Sequence, residues 1–144
     1  MELDPRLIQK AIHLKNSDFF SGLSIEILIE IAKLCQEINL IKGDILFNQG
    51  DIADGLYFIL DGSVDVVIGG NPVNTMSSGE VLGEIALIDS GTRSATIRAS
   101  SSTSILKISP DLFDEILEDF SDVAKQTMTT LVKIIRTIRK RMND

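Results

Sequence analysis

The sequence predicts a mainly β domain with flanking helices, on three observations. Short apolar or alternating runs recur from Glu37 to Ile108, the two-residue period of strands. Glycine-bearing turn signals separate them at near-regular spacing. Apolar residues at helical spacing occupy both ends of the chain. Many short strands of this kind form a sandwich or barrel, which limits exposed sheet edges.

The 144 residues make one domain, large enough to bury a core. Helices are expected over 1–34, strands over 35–109 and helices again over 110–142. At 44% hydrophobic and 24% charged the composition is ordinary for a globular protein. No apolar run reaches the roughly 18 residues of a membrane span, and Met1 opens no signal peptide. Neither a membrane partner nor secretion is expected. A single cysteine, Cys35, excludes an internal disulfide and fits a reducing cytoplasm; among apolar neighbours it reads as a buried, inert thiol.

Asp4-Pro5 reads as an N-cap with proline in the first turn, followed by Leu7, Ile8, Ala11 and Ile12 on one helical face ending near Asn16. His13, the only histidine, reads as a surface or packing residue. Phe19 and Phe20 belong to a turn, and Ser24 caps a second helix carrying Ile27, Leu28, Ile31, Ala32 and Leu34. Strands are expected at Glu37–Ile41, Ile45–Phe47, Leu56–Leu60, Ser63–Ile68, Val73–Met76 and Ser104–Ile108, with another starting at Arg93. Asp61-Gly62 is a two-residue hairpin signal, and Gly69-Gly70 and Ser77-Ser78-Gly79 mark turns. Beyond Pro110 a helix carries Leu112, Phe113, Ile116 and Leu117. From about Ser121 a longer one repeats Met128, Leu131, Ile135, Ile138 and Met142 by three and four, a short heptad seam. That helix packs on its own barrel or pairs with a second copy.

The net charge of −7 argues against general nucleic-acid binding. Six acids and no bases lie between Asp111 and Asp122, then six bases and no acids between Lys125 and Arg141. This order matches a helix macrodipole, and it also suits contact with an acidic partner.

The chemistry concentrates in Gly83-Glu84-Ile85-Ala86-Leu87-Ile88, the turn Asp89-Ser90-Gly91-Thr92, and Arg93-Ser94-Ala95-Thr96. The unpaired N–H groups at a helix start favour an anion, so the amides of Ile85 and Ala86 suit phosphate oxygens. Gly83 lets a ligand approach the backbone. Arg93 and Arg98 are the only bases between Gly43 and Leu106, among eight acids. Alternation puts Arg93 with Ala95 and Ile97, pointing inward, and Arg98 outward. A guanidinium fork binds phosphate oxygens by charge-assisted hydrogen bonds. Glu84 would repel phosphate on contact, whereas a carboxylate accepts from a hydroxyl. A ligand with an anionic end and a neighbouring hydroxyl fits this set.

The run from Gly83 to Thr96 resembles the phosphate-binding cassette of cyclic nucleotide-binding domains, found in catabolite activator proteins, regulatory subunits of cAMP-dependent protein kinase and cyclic nucleotide-gated channels. Gly43, Ile45, Gln49-Gly50, Tyr57, Ile59, Gly62, Val64 and Gly79 extend the resemblance to roughly residues 18–118. Leu82 stands where many members carry an aromatic residue. The resemblance implies an eight-stranded antiparallel β-roll, jelly-roll-like, with the cassette at 82–96 and a long C-terminal helix. It implies Arg93 on the cyclic phosphate, Glu84 on the 2′-OH, and the amides of Ile85 and Ala86 with Ser94 on phosphate oxygens beside Gly83 and Ala95. Val66, Val73 and Leu82 would pack near base or sugar, and Ile135, Ile138 or Arg139 would close over the base.

The ligand so implied is cAMP or cGMP with no metal. Ser94 sits where a threonine often accompanies cGMP preference, and no other polar group is placed to read guanine, which favours cAMP. The expected output is movement of the C-terminal helices, read by an effector protein that the sequence does not name, with a homodimer through the last helix. One histidine and no nucleophile–base pair argue against an enzyme. Sequence-specific DNA binding is not expected, since no helix-turn-helix follows the last helix within the 144 residues. The competing reading is a ligand-independent dimerisation or docking module that keeps the β-roll.

Overall fold

Turn chemistry sets the sheet connectivity in the computed structural model, which describes residues 4–83 and 91–119 and a few helical positions between 125 and 140. Among the described residues eight strands form: β1 (Gln36–Leu40), β2 (Ile45–Phe47), β3 (Leu56–Asp61), β4 (Ser63–Ile68), β5 (Asn71–Ser77), β6 (Val81–Leu82), β7 (Thr96–Ala99) and β8 (Thr103–Ile108). They pair antiparallel in two four-stranded sheets, ordered β1-β8-β3-β6 and β2-β7-β4-β5. This is a jelly-roll arrangement, in which sequential strands mostly alternate between sheets.

The expected Asp61-Gly62 hairpin does not form, because β3 and β4 lie in different sheets. Gly62 turns a corner instead, at φ 95°, and a Cβ there would collide with the carbonyl of Ser102. The amide of Ser63 donates to Ser101 Oγ and Thr103 Oγ1, both at 3.2 Å, so the chain turns towards the β7–β8 loop rather than back on itself. The hairpin occurs at Gly69-Gly70, where both φ angles are positive (58° and 82°), as a type I′ turn between paired strands requires.

Strand β3 shows why its run reads as continuously apolar. Leu56 and Phe58 join a core against the helices, while Tyr57 and Ile59 face a second core between the sheets. Both faces are covered, so alternation of polarity disappears. The inter-sheet core also takes Val64, Leu82, Ile97 and Ile105. Short β6 was not marked as a strand in the sequence, and two residues are too few to show a period.

Helix α1 (Pro5–Lys15) starts on Asp4, whose Oδ1 accepts from the Arg6 amide at 2.9 Å. Helix α2 (Ile25–Leu34) starts on Ser24 as expected. Lys15 Nζ donates to the carbonyls of Ser21 and Leu23, at 2.9 and 2.6 Å, and so fixes the turn between them. Helix α3 (Pro110–Asp119) sends Phe113 and Ile116 into the helix-side core, and Ser109 Oγ accepts from the Leu112 amide at 3.2 Å at its start. Cys35 is only partly buried rather than enclosed, yet burial still pushes its thiol up to about 12, so it stays protonated and inert. Met128 is helical and 69% exposed. The remaining seam positions Leu131, Ile135, Ile138 and Met142, with Arg139, lie outside the described residues.

Candidate functional site

Among the described residues Arg93 is the buried cation, with a side chain 5% exposed. It lies just before β7, which starts at Thr96 rather than at Arg93 itself. Two main-chain hydrogen bonds hold it there: its amide donates to Asp51 O at 2.7 Å, and its carbonyl accepts from Gly50 at 2.8 Å. The bridge of Ile52 with Thr92 and the Ala53 amide on Gly91 O (2.9 Å) continue this ladder along the loop between β2 and β3. Arg93 points inward with Ala95 and Ile97, and Arg98 lies on the opposite side, half-exposed, near Asp65.

The guanidinium lies over the Phe47 ring, 4.2 Å from its centroid, with the Tyr57 ring at 5.4 Å. Stacking on aromatic faces favours a desolvated guanidinium. Nη2 donates to Gly55 O at 2.9 Å and to Asp54 Oδ1 at 3.0 Å. Nε is buried and has no partner among the described residues. Nη1 faces Gly83, where φ is 74° and a Cβ would collide with it. The arginine is thus anchored by one terminal nitrogen, Nη2, while the other, Nη1, packs against Gly83. A buried, unpaired N–H costs free energy unless something accepts from it.

Asp54 collects three donors. Oδ1 accepts from Tyr57 Oη at 2.8 Å as well as from Arg93, and Oδ2 accepts from Lys107 Nζ at 2.6 Å. Burial pushes its carboxyl up, but the hydrogen bonds from Lys107, Tyr57 and Arg93 outweigh that and hold it at about 2. Burial, together with the bond to Asp54, pushes the Tyr57 hydroxyl up. For Lys107 burial works downward, and the Asp54 carboxylate overcomes it and raises the ammonium.

Sequence reasoning did not single out Asp54, Tyr57, Phe47 or Lys107 as parts of this site. Asp54 was within reach, being one of the eight acids around Arg93. Lys107 was legible only through register: it pairs with Tyr57 across β3 and β8, on the Ile105 face.

Of the other expected residues, Leu82 is buried beside Tyr57, and Val66 packs at the margin of the inter-sheet core. Ala95 is buried and Ser94 exposed. Val73 is 56% exposed on β5, the outer strand of its sheet, and joins neither core. Glu84, Ile85 and Ala86 lie outside the described residues, as do Ile135, Ile138 and Arg139. Among the described residues no group of three or more His, Cys, Asp or Glu side chains converges to hold a metal, and no helix is long and apolar enough to cross a membrane.

Comparison with known proteins places this geometry. The chain is 32% identical over 99 residues to the mouse potassium/sodium hyperpolarization-activated cyclic nucleotide-gated channel 2, a match covering 69% of this chain and 12% of the channel. It is 28% identical over 105 residues to the Pycsar effector protein BcPycTIR of Burkholderia cepacia, covering 72% of this chain and 35% of that protein. This chain therefore matches a minor part of either relative's length. Among solved structures, the N-terminal domain of a transcriptional regulator from Streptomyces coelicolor A3(2) superimposes with a TM-score of 0.82 at 27% identity, covering 92% of this chain and 95% of that one. The catabolite activator protein of Thermus thermophilus gives 0.76 at 25% identity, over 88% of this chain and 62% of that one. The buried arginine under a positive-φ glycine thus sits in a jelly roll shared with these proteins, and residues 37–120 match the family described as cyclic nucleotide-binding domain, to which this chain belongs.

Proposed function

We propose that this module binds a 3′,5′-cyclic nucleotide, cAMP in preference to cGMP, and passes the event to its C-terminal helices. The observation that carries the reading is Arg93, buried over Phe47, with Nε lacking a partner among the described residues and Nη1 packed against Gly83. Residues around it fit a cyclic phosphate: a cation whose Nε has no acceptor among the described residues, a glycine close enough to Nη1 that a Cβ would collide with it, and apolar Leu82 beside Tyr57. Arg93 takes the phosphate, Glu84 the one free ribose hydroxyl, and the amides of Ile85 and Ala86 with Ser94 the remaining oxygens. Val73 and Leu82 contact base or sugar, and Ile135, Ile138 or Arg139 close over the base.

The route to the helices is short. Gly55, whose carbonyl holds Arg93, is packed so tightly on the end of β8 that a Cβ would meet the Ile108 carbonyl and Ser109 Cα, and Ser109 starts α3. A change in what Arg93 holds is therefore felt, through one residue, at the root of α3, so ligand biases the helix arrangement. The seam that begins at exposed Met128 supports a homodimer through the last helix, in a protein that works in the cytoplasm.

A ligand of about 22 heavy atoms at roughly −0.3 kcal/mol per atom gives about −7 kcal/mol, a Kd on the order of 10 µM. Calorimetric titration of the chain with cAMP, cGMP and 5′-AMP tests the proposal. Binding of cAMP ahead of cGMP, and of both well ahead of the uncyclised 5′-AMP, is expected. No heat with either cyclic nucleotide would contradict the sensor reading and leave the ligand-independent docking module in its place.

A further inference from the structure

Lys107 lies outside the shell of residues expected to touch a nucleotide, yet it is tied to Arg93 through a single carboxylate. Its Nζ is 2.6 Å from Asp54 Oδ2, and the other oxygen of that carboxylate receives Arg93 at 3.0 Å and Tyr57 at 2.8 Å. Register explains the placement. Lys107 pairs with Tyr57 across β3 and β8, and its ammonium lies 5.6 Å from the Tyr57 ring centroid, on the ring that also flanks the guanidinium. The lysine is largely buried, with 21% of its side chain exposed, and Asp54 is half-exposed.

Two cations sharing one anion compete for it. The carboxylate opposes an incoming phosphate in two ways: it neutralises the arginine that the phosphate needs, and it repels the phosphate directly. Lys107 draws charge on Asp54 away from Arg93 and offsets both effects. Its action passes through Asp54, since among the described residues the Asp54 carboxylate is its ion-pair partner and its other polar neighbour, Tyr57, donates to that same carboxylate.

Building on the nucleotide reading, we infer that Asp54 and Lys107 form an affinity-setting pair for the anion site: Asp54 restrains Arg93 in the free protein, and Lys107 is a positioning residue that keeps Arg93 available by holding Asp54. The pair makes opposite demands on its two members. Neutralising Asp54 strengthens anion binding, and neutralising Lys107 weakens it. A merely structural pair behaves otherwise, since loss of either member loosens the site in the same direction.

The test is a double-mutant cycle read by calorimetry with cAMP. Lys107→Met keeps the apolar stem over Tyr57, and Asp54→Asn keeps an acceptor for Arg93 Nη2 without the charge. For a half-exposed pair, Lys107→Met is expected to raise Kd by about three- to tenfold and Asp54→Asn to lower it by a similar factor. In the Asp54→Asn background Lys107→Met is expected to change Kd by about twofold or less, because the lysine has lost the group it acts through. An equal effect of Lys107→Met in both backgrounds, or weaker binding in both single variants, overturns the inference.

The Arg93 Nε–H resonance in the ligand-free chain gives a second reading by NMR that needs no nucleotide. It is expected to move in Lys107→Met, and an unmoved resonance overturns the inference. Were the native chain to bind neither cyclic nucleotide, the sensor proposal would fail while this resonance still decided the positioning of Arg93.

Discussion

Arg93 is held by a carbonyl and a carboxylate through one nitrogen, and the other terminal nitrogen packs against Gly83, where only a residue without a Cβ leaves it space. At φ 74° an L side chain is strained by about 1–2 kcal/mol, and a Cβ would displace the guanidinium as well. Gly83→Ala is therefore expected to weaken cAMP binding by about tenfold or more, measured by calorimetry, with only a modest loss of thermal stability. The Asp54 carboxyl carries a pH signature. It titrates near 3.8 when unpaired and at about 2 in the fold, so the folded form resists protonation. The stability it contributes is present above about pH 4 and is lost as pH falls towards 2. Half-exposure screens the pair, which limits that stability to about 1 kcal/mol. Urea unfolding of the native chain and Asp54→Asn at pH 5 and pH 2 is expected to show the native advantage only at the higher pH. The inward course of Arg93 was legible because alternation with Ala95 and Ile97 needs only local sequence. Its partners were not, because Asp54 and Lys107 reach it across loops and sheet register that no local period records.

The strands show the same division between what local sequence carries and what tertiary contacts decide. Runs such as Ile45–Phe47 and Ser63–Ile68 form as strands over the expected residues, because turn residues bound them on both sides. Asp61-Gly62 misled because a glycine at positive φ serves a corner as readily as a hairpin; what distinguishes the two is the β7–β8 loop packed against it. This distinction can be measured. Gly79 has φ 93° with nothing near a Cβ, whereas Gly62 has φ 95° and the Ser102 carbonyl in the way. Gly79→Ala is expected to cost about 1–2 kcal/mol from backbone strain alone. Gly62→Ala is expected to cost clearly more in denaturant unfolding, and equal costs would remove the packing argument.

For the molecule as a whole, a ligand that binds only the folded chain adds its binding free energy to stability. At a cAMP concentration of about 100 times Kd the gain is about 2.7 kcal/mol, so the thermal midpoint is expected to rise by several degrees in scanning calorimetry. The two-core architecture places that gain usefully. The helix-side core joins β3 and β8 to α1, α2 and α3, while the inter-sheet core includes Tyr57, whose ring flanks Arg93. Strands β3 and β8 contribute to both cores, and on the proposed reading this shared pair is the path from Arg93 to α3. That layering was foreshadowed by the continuous apolar run Leu56–Leu60, though sequence alone did not reveal which face met the helices.

The central claim is that Arg93 receives the phosphate of a cyclic nucleotide, and calorimetric titration of cAMP into native chain and Arg93→Ala tests it most directly. The account predicts micromolar binding by the native chain and none detectable by a variant whose circular dichroism and cooperative unfolding show it folded, the loss being several kcal/mol. Equal affinity in a folded Arg93→Ala chain would contradict it.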